Sequence, residues 1–211
     1  MKEQTNRTEY TYGSLSGKQL AENPFTQFSN WFHEASEAKA DDMGAMCLST
    51  VSETGIPDSR IVLMKEFNEE GITFYTNYNS KKGIDIHFNP NVAVVFYWPR
   101  IQRQVRITGI AKKISTAKSD AYFSSRPQAS KVGAIASPQS KPLKNRLELE
   151  KIVSLTDVKY KGVNPERPLY WGGYLVSPTR FEFWQGRENR LNDRFEYYQD
   201  KNQWIIQRLA P

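Results

Sequence analysis

Arg190, Asn192 and Arg194 recur at every second position in the run Trp184-Gln-Gly-Arg-Glu-Asn-Arg190-Leu-Asn192-Asp-Arg194. On a strand, whose side chains alternate between faces, these three would share one wall while Leu191 and Phe195 point into an apolar interior. Two guanidiniums flanking an amide can grip a planar, anionic, hydrogen-bonding ligand. The alternative is a solvated strand face. Other segments repeat the association of cations with hydroxyls and amides. Arg60-Ile-Val-Leu-Met-Lys65 puts a cation at each end of an apolar strand, on opposite faces, so one strand can serve two anionic groups. Tyr75-Thr76 leads through a hydroxyl-rich loop to Ser80-Lys81-Lys82, where a helix begins. Free N–H groups at such a terminus favour an anion, and two lysines there oppose the helix dipole unless a phosphate intervenes. Gln104 and Arg106 share a strand face, the amide suited to a ring's carbonyl and imide groups. Tyr122 and Arg126 stand four apart on one side of a helix, Pro127 stops it and Ser130 follows in the next turn, which makes a second phosphate cradle. Gln139 and Ser140 add an amide and a hydroxyl in a loop.

The elements that must position these groups are mostly strands. Asn23 caps a helix with Pro24 in its first turn, and Phe25, Phe28, Trp31, Phe32 and Ala35 recur at helical spacing, a core stripe. Strands are expected over 46–51, 59–65, 72–76, 92–97, 102–114, 171–176, 180–185 and 191–199, with 203–209 closing the chain. Helices are expected over 80–88, 115–125 and 143–158. Strands outnumber helices and seldom alternate with them, so the fold class is mainly β: an antiparallel barrel with peripheral helices. Residues 1–22 are expected to form a mobile arm and 23–211 a single domain.

Composition narrows the function. The chain has 211 residues, enough for one substantial core without a covalent staple. The single cysteine, Cys47, forms no internal disulfide and sits in an apolar run, as a buried small hydrophobe in a reducing compartment. Met1–Glu9 is polar, so no secretory signal is expected, and no apolar run approaches the roughly 18–20 residues of a membrane span. The cytoplasm is the expected location. Two histidines and one cysteine argue against a His/Cys metal site. Net charge is +6, but the cations sit singly within apolar patterns, which favours discrete anion pockets over a nucleic-acid footprint.

In this order and at these spacings the segments resemble the pyridoxine/pyridoxamine 5'-phosphate oxidase family. The likeness runs from Arg7-Thr-Glu-Tyr10 through Trp171-Gly-Gly to Arg208-Leu-Ala-Pro211. It is most specific in Arg60–Lys65, Tyr75-Thr76, Arg103-Gln-Val105, Tyr122–Arg126 and Phe183–Arg194. The resemblance implies a homodimer of FMN-binding split β-barrels with each flavin between subunits. It implies oxidation of pyridoxamine or pyridoxine 5'-phosphate to pyridoxal 5'-phosphate, with O2 as acceptor and H2O2 as product. FMN would then meet Arg60, Ile61, Val62, Leu63, Met64, Lys65, Tyr75, Thr76, Lys81, Lys82, Gln104, Gln139, Ser140, Trp184 and Arg194. The substrate phosphate would meet Lys65, Tyr122, Arg126 and Ser130. Arg190 and Asn192 would lie over the substrate ring as catalytic residues, and Arg7 and Tyr10 would close the pocket. Asn192 departs from the family pattern, which has histidine there. The nearest rival is another flavin-dependent oxidoreductase on the same barrel acting on a different small ring. A flavin or pyridoxal-phosphate carrier without turnover, and a nucleic-acid-binding barrel, stand further off.

Overall fold

The computed structural model describes residues 9–201 and 203–211, so Arg7 lies outside the described residues. The first helix is α1 (Pro24–Glu37). Asn23 caps it by accepting the Phe25 N–H at 2.8 Å, and Pro24 sits in the first turn, where its missing N–H is no loss. The apolar stripe of α1 is core: Phe28 packs on Phe67 and Phe96, and Trp31 meets Phe183 edge-on at 5.2 Å.

The chain continues as β1 (Ala45–Val51), β2 (Pro57–Leu63), β3 (Glu66–Asn68), β4 (Gly71–Asn77), α2 (Lys81–Phe88), β5 (Asn91–Trp98) and β6 (Arg103–Lys113). Then come α3 (Thr116–Ser125), α4 (Gln128–Ala136), α5 (Arg146–Lys159), β7 (Trp171–Gln185), β8 (Asp193–Asp200) and β9 (Gln203–Leu209). Among the described residues every strand pairing is antiparallel. The hydrogen-bonded path runs β2-β1-β5-β6-β7-β4-β3, with β8 and β9 attached at β7. Its two ends, β2 and β3, are consecutive in the chain. Met64 and Lys65 join them, and the Lys65 N–H donates to Thr73 O at 2.8 Å. That join curls the sheet into a half-barrel, the class the strand pattern predicts. No helix among the described residues is long and apolar enough to cross a membrane.

Four expectations need correction. First, the strands expected over 171–176 and 180–185 are one element of 15 residues, β7. One edge of β7 pairs with β6 along its length, while the other pairs first with β4 and then with β8. Thr179 is the extra residue between these halves, a bulge that bends the strand without breaking it. Second, Arg190 and Asn192 are not on a strand: Glu188–Arg190 is a 3-10 turn, and β8 begins only at Asp193. Asn189 and Arg190 both take positive φ (54° and 62°), Leu191 is exposed, and only Arg194 belongs to the strand. Third, Ser130 stands in the first turn of a helix, α4, rather than in a turn. Pro127 occupies its N-cap position without a side-chain cap, so the usual sequence signal is missing. Fourth, Cys47 points outward from β1 and is half-buried, between the inward-facing Met46 and Leu48.

Within the segment expected as an arm, the residues from Tyr12 to Ala21 are hydrogen-bonded to the barrel. The Tyr12 N–H donates to Gln102, the Leu15 N–H to Asp193, and the Tyr197 hydroxyl to Ala21 O.

Candidate functional site

A cavity of about 450 Å³, within the usual range for small-ligand sites, opens where β2, the Met64–Lys65 join and β4 face α2, α3 and α4. Of the predicted residues it is lined by Ile61, Val62, Leu63, Lys65, Tyr75, Thr76, Lys82, Tyr122, Arg126, Ser130 and Gln139, joined by Pro127 and Trp171. Among the described residues its lining holds three cations and no carboxylate. Lys65 follows the end of β2, so the cation at each end of that strand becomes one on the strand and one at the barrel's join.

Aromatic packing fixes the wall. Tyr75 lies opposite Gly173 on β7, and a Cβ on Gly173 would come within 2.9 Å of its ring, so glycine is what lets the ring lie there. Tyr122 stacks on Tyr75 with centroids 3.7 Å apart, and Trp171 continues the layer at 5.6 Å. Arg126 sits over Trp171 at 4.6 Å. Burial pushes the Tyr75 hydroxyl up to about 12, so near neutrality it is an uncharged donor.

Two sets of polar groups face this cavity. In the first, Arg126 Nη1 is buried and has no hydrogen-bond partner among the described residues. Burial lowers the guanidinium's pKa, opposed by Tyr122, yet an arginine stays charged. Lys65 Nζ, Tyr122 Oη and Ser130 Oγ also hydrogen-bond to no described residue. Buried polar groups are seldom left unpaired, and Arg126 Nη1 is the buried one here, beside the exposed Lys65 and the half-buried Tyr122 and Ser130, a donor set that suits an anion. In the second set, Ser80 caps α2 by accepting the Gly83 N–H, presenting the helix N-terminus. Lys82 is 8% exposed, and its Nζ hydrogen-bonds to no described residue. Burial, then the neighbouring Arg60, holds its ammonium below the ordinary lysine range, with Asp58 partly offsetting them. Arg60 and Lys81 stand beside the cavity with partners of their own, Asp58 at 2.6 Å and Asp85 at 2.5 Å. Met64 faces a neighbouring cavity with Phe28 and Phe67. Ser140, exposed at φ 67°, lines neither.

The remaining predicted residues form a separate cluster at the far end of β7. Gln104, Trp184 and Arg194 are register partners across β6, β7 and β8. Tyr10 meets Trp184 edge-on at 5.6 Å, and its ring lies where a Cβ on Gly186 would be, at 2.7 Å. Arg194 is held by the buried Glu182 at 3.0 Å and by Ala210 O at 2.8 Å. Asn192 accepts the Arg187 N–H at 2.9 Å, which leaves its NH2 as the free donor. Arg190 is exposed and makes no hydrogen bond to a described residue. Trp171, in the first cluster, and Trp184 are thirteen positions apart on β7, roughly 40 Å of extended strand. One chain therefore holds the predicted residues in two places. Sequence reasoning missed Trp171 as a lining residue; its place beside Gly172-Gly173, in a motif already singled out, was the available signal.

A family model described as pyridoxamine 5'-phosphate oxidase matches residues 32–158. A second, described as the pyridoxine 5'-phosphate oxidase C-terminal dimerisation region, matches residues 171–211. A pyridoxine/pyridoxamine 5'-phosphate oxidase of Crocosphaera subtropica is 49% identical over 210 residues, 97% of each chain. Among solved structures, PhzG from Burkholderia lata 383, in complex with tetrahydrophenazine-1-carboxylic acid, superposes with a TM-score of 0.87 at 26% identity, over 93% of this chain and 98% of that one. A pyridoxamine 5'-phosphate oxidase-related, FMN binding protein from Nostoc punctiforme shares the fold, with a TM-score of 0.70 at 19% identity over 91% of this chain and 100% of that one.

Proposed function

Because the chain belongs to the pyridoxine/pyridoxamine 5'-phosphate oxidase family, we infer from its own geometry how its residues divide the reaction. It is an FMN-dependent oxidase of pyridoxine and pyridoxamine 5'-phosphates. When bound, FMN supplies the two-electron acceptor for oxidation at C4', with dioxygen as final acceptor and hydrogen peroxide as product.

Lys65, Tyr122, Arg126 and Ser130 take the substrate phosphate. The observation that carries this assignment is the buried Arg126 Nη1, which among the described residues lacks a partner, in a cavity whose described lining has no carboxylate. Lys82 and the α2 N-terminus, backed by Arg60 and Lys81, take the FMN phosphate. The donor set fits: a buried lysine without an acceptor stands beside a capped helix terminus. Tyr75, Thr76, Gln139, Ser140 and the main chain of 61–64 flank the flavin.

Gln104, Trp184, Arg190, Asn192 and Arg194 act at the same ligands from the partner subunit of a homodimer, so that each flavin lies between two chains. The separation of the two clusters along β7 supports this reading. Among the described residues the cavity is lined by tyrosines, cations and one amide, without a histidine, so the chain's contribution is alignment of two rings and exclusion of water. Arg190, a guanidinium, and Asn192, a neutral amide that cannot act as an acid or base, orient the substrate ring.

The cheapest test is the absorption spectrum of purified protein, followed by peroxide release with pyridoxamine 5'-phosphate in air. Flavin bands and stoichiometric peroxide are expected; colourless protein that cannot be reconstituted and leaves the ester unchanged would defeat the assignment. A rival acting on a non-phosphorylated acidic ring would turn over without discriminating for the phosphate. Asn192→His should add a limb to the pH–rate profile near the imidazole pKa of about 6.5. Superimposable wild-type and variant profiles would remove Asn192 from the reacting centre.

A further inference from the structure

Asp58 places a carboxylate beside cations that otherwise suit a phosphate. It lies two positions before Arg60 on β2, hence on the same face, and its Oδ2 is 2.6 Å from Arg60 Nη2. Arg60 is committed on its other side: Nη1 donates to Leu48 O at 3.2 Å and to Thr50 Oγ1 at 2.8 Å. Thr50 in turn donates to Asp85 Oδ2 at 2.8 Å, and Asp85 Oδ1 accepts from Lys81 at 2.5 Å. Asp85, 2% exposed, is thus the buried counter-charge that braces these cations from behind.

Asp58 is different in kind. Its side chain is 46% exposed, and it takes the one Arg60 edge, Nη2, that the brace leaves open. A guanidinium carries five N–H donors in a fixed fork, so an incoming anion must use the Nε–Nη2 edge. Arg60 foremost, with Lys81 contributing, holds the Asp58 carboxyl below the usual carboxylate range, and Lys82 feels the charge of Asp58 as well. A single exposed carboxylate therefore interacts with all three cations assigned to the FMN phosphate.

We infer that Asp58 is an internal competitor for the flavin phosphate: carboxylate and phosphate contend for the same open edge of Arg60. The inference rests on the assignment of Arg60, Lys81 and Lys82 to that phosphate. An exposed ion pair contributes little, so the exchange is easy in both directions. After it, carboxylate and phosphate remain close with like charge, which weakens binding and speeds release. Asp58 thereby sets how firmly the phosphorylated flavin is kept, while Asp85 keeps the cations in place whether or not it is bound.

The test is titration of the full-length protein, stripped of flavin, with FMN and separately with riboflavin, following quenching of flavin fluorescence. Asp58→Asn should lower the Kd for FMN about tenfold, equivalent to about 1.4 kcal/mol. Its Kd for riboflavin should stay at the wild-type value, and the gain for FMN should shrink as salt rises. Asp58→Ala, which removes charge and hydrogen bonding together, should also bind FMN more tightly than wild type. An unchanged or raised FMN Kd in both variants overturns the inference, as does an equal tightening towards riboflavin. A wild-type protein that binds FMN no better than riboflavin would instead defeat the phosphate assignment itself, and the role of Asp58 with it.

Discussion

Arg126→Ala is expected to lower kcat/KM for pyridoxamine 5'-phosphate by about ten- to 150-fold, mostly through KM, while the flavin stays bound. Hydrogen bonds to a charged group contribute roughly 1.5–3 kcal/mol, and each 1.4 kcal/mol is a factor of ten. Arg126 stands at the upper end of that range, because its Nη1 is buried and has no other acceptor. Its guanidinium also rests on Trp171, so its direction is fixed before any ligand arrives and little conformational entropy is lost on binding. Steady-state kinetics with parallel absorbance at the flavin bands separates the two anion sites. Loss of flavin from Arg126→Ala, with KM unaffected in the remaining holoenzyme, would show that the division between substrate and cofactor cations is wrong. The unphosphorylated amine provides an internal control, since wild type and variant should handle it alike.

A heterodimer built from two impaired chains should recover about half the wild-type kcat/KM for pyridoxamine 5'-phosphate. If the site draws on Arg126 from one subunit and Arg190 from the other, an Arg126→Ala chain paired with an Arg190→Ala chain contains one site with both defects and one with neither. Arg190 suits the experiment because it is exposed and bonds to no described residue, so its removal strands no buried partner among them. Arg194 would not serve as well, since cutting it away strips a charge partner from the buried Glu182. Purifying the mixed species through two different tags and assaying it against each parent homodimer gives the answer. A kcat/KM no better than the parents' would mean that Arg126 and Arg190 serve a site within one chain, and the shared-site reading would fall.

Much of the barrel was legible because its strands obey simple alternation. β1 and β5 bury every second residue, and the Asn23-Pro24 signal sets the start of α1 to the residue. The first cluster was legible for the same reason: its residues sit at strand ends and at helix termini, where spacing maps onto faces. Alternation failed at Arg190 and Asn192, where period two was carried through a segment that turns. Gly186, Asn189 and Asn192 were the warning, because glycine and asparagine favour turns, and Asn189 does adopt the left-handed conformation. The helix α4 was hidden because a proline where a cap is expected looks like a stop. The distance between the clusters was hidden for a deeper reason. Local patterns say which face a residue occupies but not that Trp171 and Trp184 share one long strand, since the bulge at Thr179 interrupts the pattern midway.

That continuous strand also constrains how this protein can be taken apart. The region matched as a dimerisation segment begins at Trp171, the first residue of β7. Removing it to obtain a monomer would strip β4 and β6 of their hydrogen-bonding neighbour and leave two raw edges, the kind that recruit other chains into aggregates. Quaternary contacts and the tertiary frame are thus written into the same stretch of backbone. A well-behaved single subunit is within reach only through side-chain changes on the outer surface that spare this ribbon.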